Sequence, residues 1–298
     1  MSETVGTDSI FPRVDSAEHL LGKKARTERA PTSKPRLVWV EASEARPGLN
    51  ALWRFLDRYL KELSGSEFDT RIVAFPASGG GVRQPAARLL SEALAVAVAA
   101  EIEADADVVI LNDWAQPFHQ LRALLSVPVT GICEASVVLG NVLARHPAIV
   151  TVAEGMRHGV IRDLADLGLV DRMANPPVWW LDPASTHEEV QVAIERPESL
   201  VSRFDEVSRR AVAAGADAIL AGCGYYGPVF AAAGYTHVSD HPDVPVYDCG
   251  RMGYELARTL YRLHTAGVDP SSKAFPKLPE PNASAARDLM ARMLTGRP

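Results

Sequence analysis

One stretch of the sequence predicts the fold more clearly than the rest: Ala216-Asp217-Ala218-Ile219-Leu220-Ala221-Gly222-Cys223-Gly224-Tyr225-Tyr226-Gly227-Pro228. Its apolar run, Ala218 to Ala221, is typical of a buried parallel strand, and helix-compatible sequence resumes near Pro228. Cys223 therefore lies in a turn from a strand to a helix, where open α/β sheets bind ligands. The helix start favours a reactive thiolate on Cys223; the alternative is a small apolar residue in a tight turn.

The same pattern occurs earlier in the chain, in Ala106-Asp107-Val108-Val109-Ile110-Leu111-Asn112-Asp113-Trp114. In both stretches an Ala-Asp pair precedes four apolar residues, and the residue six positions after the Asp is Asp113 in one copy and Cys223 in the other. Two similar strand-turn units predict two similar lobes, whose proton-handling groups could face each other. The alternative role of Asp113 is a helix N-cap.

Three further stretches join the Cys223 motif, Gly215 to Gly224, in a recognisable order: Val127-Pro128-Val129-Thr130-Gly131-Ile132-Cys133-Glu134-Ala135, Ile149-Val150-Thr151-Val152 and Val244-Pro245-Val246-Tyr247-Asp248. Together they resemble the aspartate/glutamate/hydantoin racemase superfamily, with its maleate isomerase and arylmalonate decarboxylase relatives. The resemblance covers the chain from about Leu37 to Ala266. It implies an α/β fold of two pseudo-symmetric lobes, each a parallel sheet flanked by helices, with the active site in the cleft between them.

The resemblance also implies a division of the chain. Residues 1–35 are polar and unpatterned, which predicts a loose N-terminal arm. The first lobe is expected over residues 36–147 together with 250–266, because the family's last helix crosses back to it, and the second lobe over residues 148–249. Residues 267–298 are expected to form a tail with a short helix near Ser284 to Leu294.

Asp113 stands where these racemases carry their first cysteine, so the resemblance implies an unequal catalytic pair, Cys223 and Asp113. Moving a proton next to a carboxylate requires a base, an acid on the opposite face and donors for the developing enolate. Asp113 can take part if its pKa rises, and desolvation by Trp114 and a closed cleft acts in that direction. This route needs no cofactor, and no His, Asp and Glu cluster in the sequence indicates a metal.

Polar residues that follow the predicted strands are the candidates for binding substrate. After the strand that ends at Phe75, a glycine-rich loop could bind a carboxylate through Ser78, Gly79, Gly80 and Arg83, unless it is only a flexible turn. Ser43 follows the first strand, where the family carries an Asn/Thr-rich loop. The remaining candidates adjoin the catalytic pair or match a ligand-binding position of the family: Trp114, Thr151, Val152, Gly224 and Tyr225. We expect His187, in a polar segment, to face solvent.

Composition excludes several classes of function. The chain has 298 residues and a formal net charge of −6, which argues against a nucleic-acid surface. Three widely spaced cysteines fit no disulfide framework and predict a reducing cytoplasm. No apolar run is long enough for a membrane span, and the N-terminus lacks the pattern of a signal peptide. We expect a homo-oligomer that binds a small-molecule carboxylate.

The leading hypothesis is a cofactor-independent racemase or isomerase acting on a small carboxylate or related carbonyl compound. A one-cysteine decarboxylase or lyase is the nearest alternative, because the family includes members with a single catalytic thiol. Cys223 could also be a covalent nucleophile, as in isomerases of unsaturated diacids or an amide hydrolase. The last alternative is a non-catalytic carboxylate-binding protein.

Overall fold

The computed structural model describes residues 34–44, 47–75, 82–114 and 117–295. All but the last two residues of the expected N-terminal arm, and the glycine-rich loop with Ser78, Gly79 and Gly80, lie outside these ranges. Within them, no helix combines the length and the apolar character needed to cross a membrane.

The first sheet contains four parallel strands in the order β2-β1-β3-β4. The strands are β1 (Arg36–Glu44), β2 (Asp69–Phe75), β3 (Val108–Asn112) and β4 (Val129–Gly131). All five residues of β3 are buried, as its unbroken apolar run predicts for a strand covered on both faces.

The second sheet repeats this arrangement and adds one strand, in the order β6-β5-β7-β9-β8. Its strands are β5 (Pro147–Thr151), β6 (Val178–Trp180), β7 (Ala218–Gly222), β8 (His237–Val238) and β9 (His241–Tyr247). Without β8 the order is that of the first sheet, so β7 is the counterpart of β3. The edge strand β8 pairs antiparallel with β9, which corrects the expectation of a purely parallel sheet. Its two residues are too few to show a period.

Helices connect the strands and cover both sheets: α1 (Asn50–Ser64), α2 (Pro85–Ile102), α3 (Phe118–Leu124), α4 (Ile132–Leu143), α5 (Arg157–Asp166), α6 (His187–Ala193), α7 (Glu198–Ala213), α8 (Tyr226–Ala232), α9 (Cys249–Thr265) and α10 (Asn282–Thr295). α1 buries the apolar stripe that its helical spacing predicts, which includes Leu52, Leu56 and Leu60. This mixed α/β architecture consists of two sheets of mainly parallel strands, flanked by helices, and it agrees with the predicted fold class.

Helix α9 links the two sheets. Its N-cap is Asp248, whose Oδ1 accepts hydrogen bonds from the backbone N–H groups of Gly250 at 2.9 Å and Arg251 at 3.2 Å. The helix starts beside β9 of the second sheet and packs against α4, β3 and β4. The carboxyl ends of β3 and β7 are thereby held toward a common cavity.

Candidate active site

A cavity of about 330 Å³ lies at the carboxyl ends of β1, β3 and β7. Its walls come from both sheets, since Ser43 lies near the end of β1 and Asp113 follows β3 in the first sheet, whereas Cys223 follows β7 of the second. This is the position at which α/β sheets bind ligands, because loops from several parallel strands converge there.

Most of the residues predicted from the sequence line this cavity: Ser43, Arg83, Asp113, Trp114, Val152, Cys223, Gly224 and Tyr225. Thr151 does not line it. Its side chain is fully buried, and its hydroxyl contacts the backbone oxygens of Ala153 and Trp179, each at 3.2 Å. The hydroxyl of Thr151 therefore stabilises the end of β5.

Cys223 is the one cysteine of the chain that reaches the cavity, because Cys133 and Cys249 are buried and do not line it. Burial raises the pKa of the Cys223 thiol to about 11, although hydrogen bonds from the backbone N–H groups of Tyr225 and Tyr226 and the charge of Arg83 act to lower that pKa. The start of the helix favours the thiolate, as the sequence predicted, but burial opposes it. Desolvation outweighs the N–H groups at the start of α8, and at neutral pH the side chain is a protonated thiol.

Asp113 is held from helix α2. The hydroxyl of Ser91 donates a hydrogen bond to Asp113 Oδ2 at 2.9 Å, and both side chains are buried. The alternative role of a helix N-cap does not apply to α3, whose N-cap is Pro117. The carboxylate of Asp113 is instead fixed at the cavity wall, directly after β3, the strand equivalent to the one that precedes Cys223.

Glu41 and Asn112 are cavity residues that the sequence analysis missed as functional candidates. Asn112 Nδ2 donates a hydrogen bond to Glu41 Oε2, and the backbone N–H of Ser43 donates to Glu41 Oε1 at 3.3 Å. Burial raises the pKa of Glu41 to about 7, against the opposing effect of hydrogen bonds from Asn112, Tyr225 and Ser43. Only their places at the ends of β1 and β3 could have indicated them.

Gly224 lets the two halves of the cavity approach each other. A Cβ atom at position 224 would lie 1.7 Å from Asn112 Oδ1, so no other residue fits there without displacing Asn112. Asn112 Oδ1 is itself buried and has no hydrogen-bond partner among the described residues. A buried acceptor without a hydrogen bond lowers the stability of the folded protein unless a bound group donates to it.

His187 was expected to face solvent, and the structure corrects this. It is half-buried and lines the cavity, with Nε2 at 3.5 Å from Ser43 Oγ and its ring edge-on to Tyr225 at 5.7 Å between centroids. The signal was present in Thr186 and Glu189, because a Thr followed three residues later by a Glu is typical of a helix N-terminus. Thr186 Oγ1 indeed accepts from the backbone N–H of Glu189 at 3.1 Å, and α6 begins at His187.

Arg83 carries the positive charge at this part of the cavity wall. Its Nη1 donates to the backbone oxygen of Ser185 at 2.5 Å, which connects the segment before α2 to the second half of the molecule. A guanidinium has five N–H donors, so others are available to a bound anion. Among the described residues, no group of three or more His, Cys, Asp or Glu side chains is arranged to hold a metal ion.

The fold and the cavity define a two-lobed α/β protein of the racemase type. The model of the Asp/Glu/hydantoin racemase family matches residues 54–257, more than half of the chain. The chain therefore belongs to the Asp/Glu/hydantoin racemase family, as its sequence motifs predicted.

Individual relatives agree with this assignment. The chain is 30% identical over 172 residues to the hydantoin racemase of Pseudomonas sp. (strain NS671), a match that covers 54% of this chain and 61% of the relative. In fold it is similar to the allantoin racemase from Klebsiella pneumoniae, with a TM-score of 0.66, 16% identity and coverage of 84% of this chain and 98% of that one. The allantoin racemase from Pseudomonas fluorescens gives a TM-score of 0.60 at 19% identity, over 83% and 97% of the two chains.

Proposed function

We propose that this protein is a cofactor-independent racemase or isomerase that moves a proton at a carbon atom next to a carbonyl group. Cys223 serves one face of that carbon and Asp113 the other. The observation that carries the proposal is their placement, since the two residues follow the equivalent strands β7 and β3 and line one cavity. Membership of the racemase family supports the same reaction type.

The protonated thiol of Cys223 sets the direction of the first step. With Cys223 as a thiol, Asp113 as a carboxylate takes the proton from the substrate carbon, and the electron pair of the broken C–H bond moves into the carbonyl group as an enolate. Cys223 then donates its proton to the opposite face, and the product has inverted configuration. In the reverse direction the thiolate abstracts, supported by the N–H groups of Tyr225 and Tyr226 and by Arg83.

The polar groups of the cavity suit a small substrate with both acceptors and donors. Arg83 and His187 can donate to its carbonyl or carboxylate oxygens. Asn112 Oδ1, buried and without a partner among the described residues, can accept from an N–H group. A cyclic ureide offers such an N–H group next to a carbonyl group, whereas a plain carboxylate does not. The relatives include a hydantoin racemase and an allantoin racemase, so cyclic ureides are among the substrates to test.

A one-thiol decarboxylase is the second candidate, and the raised pKa of Cys223 favours it. In that reaction the bond from the substrate carbon to a carboxylate breaks, carbon dioxide leaves, and the electron pair stays as an enolate. The enolate then takes a proton from a thiol, and Cys223 is in that form at neutral pH. A malonate with two carboxylates would be the substrate class.

Incubation in heavy water separates the two functions. The protein would be given 5-substituted hydantoins, amino acids, substituted malonates and maleate, with deuterium at the substrate carbon followed by NMR and configuration by chiral chromatography. We expect deuterium incorporation with inversion and no carbon dioxide from a member of the hydantoin or amino-acid set. Carbon dioxide from a malonate would establish the decarboxylase instead, and binding without exchange in every case would leave only a ligand-binding protein.

A further inference from the structure

A buried ion pair behind the turn of Asp113 joins the two halves of the molecule. Arg88 on α2 places Nη2 at 2.6 Å from each carboxylate oxygen of Asp163 on α5. Arg88 is 4% exposed and Asp163 is 3% exposed, so the pair is shielded from water. Helix α2 leads into β3 of the first sheet, and α5 follows β5 of the second, so this contact bridges the two sheets.

The same guanidinium holds the turn that carries Asp113. Arg88 Nη1 donates to the backbone oxygen of Trp114 at 3.2 Å, while Ser91 donates to the Asp113 carboxylate at 2.9 Å. Arg88 and Ser91 are three residues apart and therefore lie on one face of α2. One helix face thus fixes both the backbone and the side chain of the turn.

The surroundings are built for this contact. A Cβ atom at position 159 of α5 would lie 2.3 Å from Arg88 Nη1, so Gly159 makes room for the guanidinium. Arg88 Nε donates to Glu92 Oε1 at 2.8 Å, and the same oxygen is 3.0 Å from Arg162 Nη2. The network contains two cations and two anions. Stability alone does not require it, because apolar residues often replace a buried ion pair without loss.

We infer that Arg88 is a positioning residue, which holds Asp113 at a fixed place across the cavity from Cys223 by binding Asp163 and the Trp114 carbonyl together. The inference rests on the proposed proton transfer between Asp113 and Cys223. Inversion requires both residues to be aligned with one substrate carbon, whereas exchange on the Cys223 face requires only the thiolate form of Cys223. Loss of the contact should therefore lower inversion more than exchange.

The test removes both charges, so that neither is left buried and unpaired. The double variant Arg88→Met/Asp163→Leu would be compared with Arg122→Met/Glu134→Leu. This control removes another bidentate ion pair, at 2.7 and 2.8 Å, whose residues do not line the cavity. Thermal unfolding would first establish that each variant folds. The readouts are the ratio of inversion to deuterium exchange at the substrate carbon, and hydrogen exchange of the backbone amides of residues 108–114 by mass spectrometry.

We expect the ratio of inversion to exchange to fall about tenfold or more in the Arg88 and Asp163 variant, because small misplacements of reacting groups are costly. Amide protection in residues 108–114 should fall as well, and the control variant should change neither readout. A folded variant with an unchanged ratio, or with both rates lowered equally, would overturn the inference.

A failure of the proposed function would look different. In that case the wild-type protein would exchange none of the substrates, and amide protection would still measure the effect of Arg88 on the turn. Unchanged protection in the double variant would then reject the positioning role without any assay of turnover.

Discussion

The turn after β3 and the turn after β7 occupy equivalent places, yet each holds its reactive group by different means. The carboxylate of Asp113 is bound by a side chain, the hydroxyl of Ser91 on α2. The thiol of Cys223 is bound by the backbone N–H groups of Tyr225 and Tyr226. The repeated strand order therefore sets where the two groups lie, while the chemistry of each half is set separately. Breaking one turn should leave the function of the other measurable.

The largest effect is expected from Cys223→Ala. Removing a group that transfers a proton in both directions should lower turnover by about 10³-fold or more, because general acid-base catalysis contributes up to about 10⁴-fold. A chiral assay combined with deuterium tracking measures this. Cys133→Ala is the matched control, since Cys133 is buried away from the cavity, and it should keep its activity. Full activity in Cys223→Ala would end the proposal.

Asp113→Asn should have a smaller and one-sided effect. The amide cannot take or give the proton, so inversion should fall by about 10²-fold, while the thiolate form of Cys223 still exchanges deuterium on its own face. Asp113→Cys, which restores the two cysteines of the racemases, should invert faster than Asp113→Asn. If Asp113→Asn inverts its substrate at the wild-type rate, Asp113 is a structural residue of the turn.

Glu41 accepts hydrogen bonds from Asn112, beside the turn of Asp113, and from Tyr225, in the turn of Cys223, so its charge should act on both turns. Its pKa is raised in the folded protein, from 4.5 to about 7, and the stability linked to its proton is fully present below pH 4.5 and lost as the pH rises through about 7. Glu41→Gln keeps the uncharged form. We expect the variant to match the wild type near pH 4 and to exceed its unfolding free energy by about 3 kcal/mol near pH 8.

The same substitution should make Cys223 more reactive, because the negative charge of Glu41 raises the pKa of that thiol. Iodoacetamide labelling of Cys223 measures the change. Glu101→Gln is the control, since burial also raises the pKa of Glu101 to about 7 but Glu101 does not line the cavity. Faster labelling in both variants would argue for a general change in net charge.

Gly224→Ala tests the place where the two turns touch, and we expect the smallest of these effects. The added methyl group meets Asn112 Oδ1 at 1.7 Å, and relieving this overlap should cost about 2 kcal/mol of unfolding free energy. Chemical denaturation measures the loss. Asn112→Ser should recover part of it in the double variant, and Gly48→Ala, with open space at the added methyl, should be neutral. A purely additive double variant would contradict the contact.

The strands were predictable because burial on both faces leaves a strong local signal. The apolar runs before Asp113 and Cys223 became β3 and β7, and their similarity anticipated the repeated sheet order. The pairing of Glu41 with Asn112 was not predictable. It depends on the parallel register that sets Glu41 opposite Asn112, and the local sequence does not indicate which residues of two strands are paired.

The differences between the sequence analysis and the structure have the same origin. His187 stands in a polar segment, and only the start of α6 beside the cavity brings it to Ser43. The pKa of Cys223 depends on how completely the folded protein excludes water from the thiol, and the local sequence does not indicate this. The backbone N–H groups that lower the pKa belong to the turn itself and could be predicted.

The contact of Gly224 with Asn112 also has a consequence for how this family diverges. A side chain at position 224 requires a shorter residue at position 112. In related chains, a residue larger than Gly at 224 should therefore occur only together with a residue smaller than Asn at 112. We expect Asn at 112 only in chains with Gly at 224, and Ser, Ala or Gly at 112 wherever 224 is larger. The residues at positions 112 and 224 would then identify, from sequence alone, the relatives in which the two sheets make this close contact.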